Sequence, residues 1–142
     1  MNWTLRPATA ADLEDLVEIR AVVMRPDLER LGRYDAVRVR QRMRDAFVPE
    51  HTRIIEVDGE LAGSITLRPA DDRQWLEHFY LAPAHQGRGL GTAVLTSVLE
   101  SADATVGLNV LQGSPARTLY ERHGFVVESE DPVDVFMVRK FL

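Results

Sequence analysis

The chain has 142 residues, room for one domain spanning 1–142 with a sizeable core and too few for two. Hydrophobic residues make up 45% and charged residues 27%; no apolar run is long enough to span a bilayer, and the opening residues do not read as a basic-then-apolar leader. Cysteine is absent, which excludes disulfides and thiolate metal sites and fits a reducing cytoplasm, and the net charge of -5 argues against nucleic acid as the main partner.

In chain order, Trp3–Pro7 reads as a short strand. Thr9 and Asp12 have the spacing of a capping box. Leu13, Leu16, Val17, Arg20 and Val23 then recur at helical spacing to about Met24, and Pro26 is expected to end that helix. After a loop with Gly32, a second helix is expected near Tyr34–Phe47, with Val39, Met43 and Phe47 on its apolar side. "TRIIEV" and "ELAGSITL" form a hairpin, because the intervening Asp58-Gly59 suits a tight primed turn. Trp75–Leu81 is the next strand, and Pro83 stops its ladder for want of an N–H.

A loop with glycine at every second position, Gly87, Gly89 and Gly91, runs into a helix whose stripe is Leu90, Val94, Val98 and Ala102. Thr105–Leu111 is a strand. A short helix follows, with Ser114 as N-cap, Pro115 in the first turn and Gly124 just past the end. The chain closes as a hairpin around Asp131-Pro132. The order is β-α-α-β-β-β-α-β-α-β-β. Its middle strand–loop–helix–strand unit needs a right-handed crossover and a parallel pair, and the rest reads as antiparallel hairpins. A mixed α/β sheet covered by helices on both faces follows.

The glycine loop is the first candidate site. Thr92 stands where a dinucleotide fingerprint needs its third glycine, and the strand "TVGLNVL" does not end in the acidic residue that fingerprint requires. No Gly-Lys-Ser/Thr occurs, and the only lysine is Lys140, so a P-loop is excluded. A glycine loop feeding a helix N-terminus still offers free backbone N–H groups at the positive end of the helix dipole, which suits a pyrophosphate. A tight strand-to-helix turn without a ligand has the same spacing. His51, His85 and His123 show no metal-ligand spacing, so no metal site is expected, and His123 is expected to be solvated.

"LAPAHQGRGLGTAVL" resembles the acetyl-CoA-binding segment of the GNAT N-acetyltransferases, through Pro83, Gln86, Gly89 and Gly91. "LNVLQGSPARTLYERHGFVV" is similar to that family's later strand and helix at Leu108, Val110, Pro115, Ala116, Leu119, Tyr120, Glu121, Gly124 and Phe125. The element order agrees from end to end. The resemblance implies a GNAT fold: a mixed, mostly antiparallel sheet of about seven strands flanked by four helices, with a splayed parallel pair at its centre.

It also implies acetyl-CoA as co-substrate and direct transfer of the acetyl group to a primary amine in a ternary complex. A non-catalytic acyl-CoA-binding module is the alternative. The acyl arm would lie between Trp75–Leu81 and Thr105–Leu111, past Phe79, Leu81 and Asn109. The N–H groups of Gln86, Gly87, Arg88, Gly89, Leu90, Gly91 and Thr92 would hold the pyrophosphate. Tyr120 maps onto the family's general acid. Glu77, or a water it orders, is the candidate base. His78, its neighbour, is expected on the opposite face because strand side chains alternate. Ser114 stands where many members have asparagine, and it reaches less far towards the coenzyme.

The acceptor side is expected from the first two helices. Among their many arginines, Arg38, Arg42 and Arg25 are candidates to hold a carboxylate or phosphate, against the alternative of a solvated face balanced by Glu29, Asp35 and Asp45. The closing "VDVFMVRKFL" is apolar on both faces, unusual for an exposed edge, so a homodimer is expected.

Overall fold

The computed structural model describes residues 2–141. Its strands are β1 (Trp3–Pro7), β2 (Thr52–Val57), β3 (Glu60–Pro69), β4 (Gln74–Leu81), β5 (Val106–Leu111), β6 (Val126–Glu130) and β7 (Asp134–Arg139). The helices are α1 (Leu13–Arg30), α2 (Ala36–Ala46), α3 (Leu90–Glu100) and α4 (Ala116–Arg122). The strands form one sheet in the order β1-β2-β3-β4-β5-β7-β6, antiparallel throughout except for the parallel pair β4-β5.

Strand periodicity buries both faces. Ile54 and Ile55 are adjacent and fully buried, yet they belong to different cores. Ile54 packs with Leu16 and Val17 of α1 and Met43 of α2; Ile55 packs with Leu90, Val94 and Leu95 of α3 and Tyr120 of α4. Each such fully buried aliphatic side chain contributes about 1.5–3 kcal/mol relative to exposure. Asp58 and Gly59 turn the β2–β3 hairpin with φ of 50° and 82°, both left-handed, as a primed turn requires.

The helix starts follow their caps. The Thr9 N–H donates to Asp12 Oδ2 at 2.8 Å, and the Asp12 N–H returns to the Thr9 carbonyl at 3.0 Å. Arg6 grips the same carboxylate at 2.8 and 3.0 Å, and it holds the Asp12 carboxyl down to about 2. Asp35 Oδ1 accepts from the Val37 and Arg38 amides at the start of α2.

Two expectations are corrected. Pro26 does not end α1, which runs on to Arg30. The carbonyl that loses its helical partner is that of Val22, four residues back, and Val22 is 55% exposed, on the outer side of the helix, where losing one bond is tolerated. Nor is β7 an edge. It lies between β5 and β6, which is why both its faces are apolar, and the edge at this end of the sheet is β6, exposed along its length. The homodimer expectation loses the argument that carried it. No helix among the described residues is long and apolar enough to cross a membrane.

Candidate active site

The chain leaving β4 makes a single 3-10 turn at Pro83–His85. Gln86 Nε2 then donates back to the Leu81 carbonyl at 2.8 Å, tying the loop to the strand end. Gly87 and Gly89 follow with φ of 76° and 78°, which L side chains rarely adopt. A Cβ on either would meet no protein atom within 4 Å, so both face open space. Gly91 differs. It sits in the first turn of α3, and a Cβ there would be in ordinary contact with Leu119 at 3.6 Å and Leu81 at 3.8 Å. No side chain caps α3, and the first of its amides to find a partner is Ala93, on the Gly89 carbonyl at 3.1 Å. Among the described residues, no acceptor takes the amides from Gly87 to Thr92. They make a row of donors at the positive end of a helix dipole, a fit for phosphate oxygens.

This loop opens onto a gap in the sheet. β4 and β5 pair only at Gln74–Val106 and Trp75–Gly107, and beyond Trp75 the ladder stops. The divergence coincides with a bulge. Between the Ser64–Tyr80 and Thr66–Glu77 pairs, β4 carries one residue more than β3, and His78 takes up the excess at φ 47°. The bulge is fixed from β3: Ser64 Oγ donates to the His78 carbonyl at 2.7 Å. Beside it the backbone of Gly63 comes so close that a Cβ would fall 1.9 Å from the Tyr80 carbonyl oxygen.

The bulge corrects the expected orientation of His78. A left-handed residue breaks the period of two, so Glu77, His78 and Tyr80 all line one cavity of about 670 Å³ instead of Glu77 alone. Arg20, Val23 and Met24 of α1 wall that cavity on one side, and Asn109, Ser114 and Tyr120 on the other.

The groups there are electrostatically distinct. Glu77 is held by Arg68 at 2.7 and 3.3 Å. Burial first, then the Arg20 charge, lowers the pKa of His78, so the imidazole is neutral at physiological pH. Its Nδ1 lies 3.4 Å from the Tyr80 hydroxyl, which accepts from Arg20 Nη1 at 2.5 Å. Arg20 is itself buried and also donates to the Val39 carbonyl at 2.9 Å. Burial pushes the Tyr120 phenol well above its ordinary value, with the Tyr80 phenol adding to the shift, so it stays protonated. The Tyr120 ring packs edge-on against Phe125 with centroids 5.8 Å apart.

A row of bare amides, a parted strand pair and a protonated phenol in the adjoining cavity agree with a comparison of sequences. The sequence profile described as the acetyltransferase (GNAT) family matches residues 13–125. This chain belongs to the GNAT acetyltransferase family.

Solved structures agree on the fold. The PaiA N-acetyltransferase from Thermoplasma acidophilum, solved in complex with coenzyme A, superposes with a TM-score of 0.80 at 22% identity, covering 99% of this chain and 100% of that one. An N-acetyltransferase from Staphylococcus aureus Mu50 gives 0.72 at 21% identity, covering 95% and 99%. The ribosomal-protein-S18-alanine N-acetyltransferase from Escherichia coli gives 0.76 at 18% identity, covering 98% and 94%. No curated protein sequence matches.

Within this GNAT fold the sequence-predicted residues fall into groups. Gln86, Gly87, Arg88, Gly89 and Thr92 are exposed on the loop and first turn, and Arg88 makes no side-chain bond among the described residues. Leu90 is 1% exposed, its side chain in the core, so it offers the loop only its amide. Phe79 and Leu81 also pack on that core, leaving their backbone as what faces the gap. α4 begins one residue later than expected, with Pro115 in the N-cap place of Ser114; Ser114 Oγ accepts from the Ala116 amide at 3.3 Å while lining the cavity. Arg25 is spent on Glu29 at 2.8 Å and on the Tyr34 ring, away from the cavity. His123 is half-buried at the surface, with Nε2 3.1 Å from Thr96 Oγ1 and Nδ1 2.9 Å from the Leu119 carbonyl. Sequence reasoning missed Tyr80, Ser64 and Gly63 altogether. It saw Arg20 only as part of an apolar stripe, where a charge was itself the signal.

Proposed function

We propose that this GNAT protein transfers an acetyl group from acetyl-CoA to a primary amine by direct attack in a ternary complex. The observation that carries the reading is the break in the β4–β5 ladder. It joins a row of unpartnered amides at the start of α3 to a cavity that Glu77 and His78 line from the α1 side and Tyr120 from the α4 side. The Thermoplasma acidophilum protein of the same fold was solved in complex with coenzyme A, which supports a coenzyme A ligand for this chain.

In this reading the amides from Gly87 to Thr92 hold the pyrophosphate and the arm runs between β4 and β5 past Asn109. The acceptor enters from the α1–α2 side. His78 takes the proton from nitrogen, since its neutral imidazole has a free lone pair where Glu77 is committed to Arg68. Glu77 accepts a hydrogen bond from the amine, which loses its first proton to solvent and reaches the thioester as the free base. The neutral amine attacks the thioester carbon, the C–N bond forms, and the C–S bond breaks.

Tyr120 donates its proton to the departing sulfur. A phenol near 10 against a thiol near 8.5 makes that transfer uphill by about 2 kcal/mol, more after burial. The acidic ammonium of the intermediate, yielding its proton to His78, offsets this cost. With no cysteine in the chain, no thioester-forming acyl-enzyme on the protein is available.

We place the protein in the cytoplasm, where acetyl-CoA and a cysteine-free chain are both at home. The homodimer reading passes to β6: Val126 and Val127 are exposed there, while Glu128 is engaged by Arg73 and Glu130 by Gln112. Light scattering at about tens of micromolar tests it, and a monomer removes it.

The experiment for the activity is thiol release from acetyl-CoA across a panel of amines. Release that requires an amine supports the transferase. Tight coenzyme binding with no release from any amine favours the non-catalytic binding module.

A further inference from the structure

We infer that the acceptor carries an oxyanion, a carboxylate or phosphoryl group, which Arg38 and Arg42 hold at the α2 wall of the cavity. The inference rests on the transferase reading for the meaning of "acceptor", and it names that acceptor's chemical class.

The arginines of α2 divide into two sets. Arg40 and Arg44 reach α1, where they bind Glu18 at 2.9 Å and Glu14 at 2.8 Å. Arg38 and Arg42 sit one turn apart on another stripe, and both line the cavity. Neither guanidinium makes a hydrogen bond or an ion pair among the described residues. Like charges at i and i+4 destabilise a helix, so two unpaired cations side by side are a cost the fold does not itself relieve. A bound oxyanion relieves it, and paired guanidinium forks match a carboxylate or phosphoryl group.

The carboxylates of the cavity wall do not fill this role. Asp27 is taken by Arg30 at 2.7 Å and Glu77 by Arg68 at 2.7 Å. Asp35 is taken by the Val37 and Arg38 amides. Asp134, on β7, also lines the cavity, and it makes no ion pair with either arginine. Among the cations, Arg20 is spent on Tyr80 and Val39. Arg33, a third lining arginine without a described partner, lies between α1 and α2 and adds to the same field. The cavity is thus polarised: Glu77 and His78 at the floor suit the amine end of an acceptor, and α2 suits its anionic end. The coenzyme's pyrophosphate has its own donors on the far side of the sheet, so the α2 arginines are left for the acceptor.

The test uses matched acceptors: α-amino acids, their carboxamides, and aminoalkyl phosphates, each assayed for thiol release and, with coenzyme A present, for equilibrium binding by calorimetry. Wild-type protein is compared with Arg38→Gln and Arg42→Gln. Both side chains are exposed and unpaired, so the variants should fold, and their thermal melts check this. The expected result is preference for an anion-bearing amine over its neutral analogue. Each variant should raise KM for the anionic acceptor by about tenfold or more, with KM for acetyl-CoA unchanged. Preference for the amino acid or for the phosphate distinguishes the two sources of the anion. Equal use of charged and neutral acceptors, or equal losses on both in the variants, overturns the inference while leaving the transferase standing. Anion-selective binding without turnover of any amine does the reverse. No binding and no turnover across the whole panel counts against both.

Discussion

Replacing Gly89 and Gly91 in turn by alanine separates the coenzyme loop from the packing around it. Gly89 has φ 78°, and a Cβ there meets no protein atom within 4 Å. The cost of Gly89→Ala is therefore backbone strain, about 1–2 kcal/mol, with no steric term inside the protein. The loop responds by shifting its amides out of their row. Gly91 is helical, and its Cβ would make ordinary contacts with Leu119 at 3.6 Å and Leu81 at 3.8 Å. Gly91→Ala should instead gain about 0.5–1 kcal/mol of helix propensity. In a chain of this size each kilocalorie moves Tm by about 4 °C. Gly89→Ala should lower Tm of the free protein by about 4–8 °C, and Gly91→Ala should raise it by about 2–4 °C. The assay is a thermal melt with and without acetyl-CoA, because a ligand that binds the folded state raises Tm by mass action. Gly89→Ala should lose most of the coenzyme-induced shift and Gly91→Ala should keep it. The reverse pattern would refute the assignment of Gly87 to Thr92 as phosphate donors.

Tyr120→Phe keeps the ring against Phe125 and should leave coenzyme affinity intact while lowering turnover about a hundredfold, measured as thiol release where chemistry is rate-limiting. His78→Asn preserves a residue that tolerates the left-handed backbone and should remove the acidic limb of the kcat/KM profile, whereas Glu77→Gln should leave that limb in place and raise the KM of the amine. His78 has its pKa lowered on folding, so stability is lost as pH falls from about 6.5 towards the folded value, a slope that thermal melts should show reduced in His78→Asn. Asp12, lowered from 3.8 to about 2, contributes stability present above pH 3.8 and lost as pH falls towards 2; Asp12→Asn should cost about 1–2 kcal/mol at neutral pH, after allowing for screening of the half-exposed Arg6, and flatten that acid limb in denaturant titrations.

The order of elements was legible because each boundary carried a local physical signal. Thr9 and Asp12 marked a cap, Asp58-Gly59 a primed turn, and Pro83 the end of a ladder. Pro26 misled, since whether a proline stops a helix depends on whether the freed carbonyl reaches water, and exposure is a tertiary property. The status of β7 was likewise hidden: a strand apolar on both faces is as readily internal as an edge in search of a partner.

The bulge at His78 left a trace that went unread. Leu76, Phe79 and Leu81 all pack on the α3 core, and 76 and 79 differ by an odd number, which no unbroken strand allows. That slip brings His78 beside Glu77 and positions Tyr80 against Arg20. Ser64 and Gly63 hold it from the neighbouring strand, a pairing that only the register reveals. The three glycines looked alike in the sequence, yet two serve a left-handed backbone, while the third lies in the first turn of α3, where a Cβ would make ordinary contacts.

The most direct measurement is the yield of N-acetylated amine against free thiol, by mass spectrometry and thiol titration, for wild type and Tyr120→Phe with acetyl-CoA and an anion-bearing amine. The account predicts one acetylated amine per thiol, release that stops without the amine, and a fall of about a hundredfold in the variant. Thiol release that continues without acceptor, or that is unchanged in Tyr120→Phe, would contradict it.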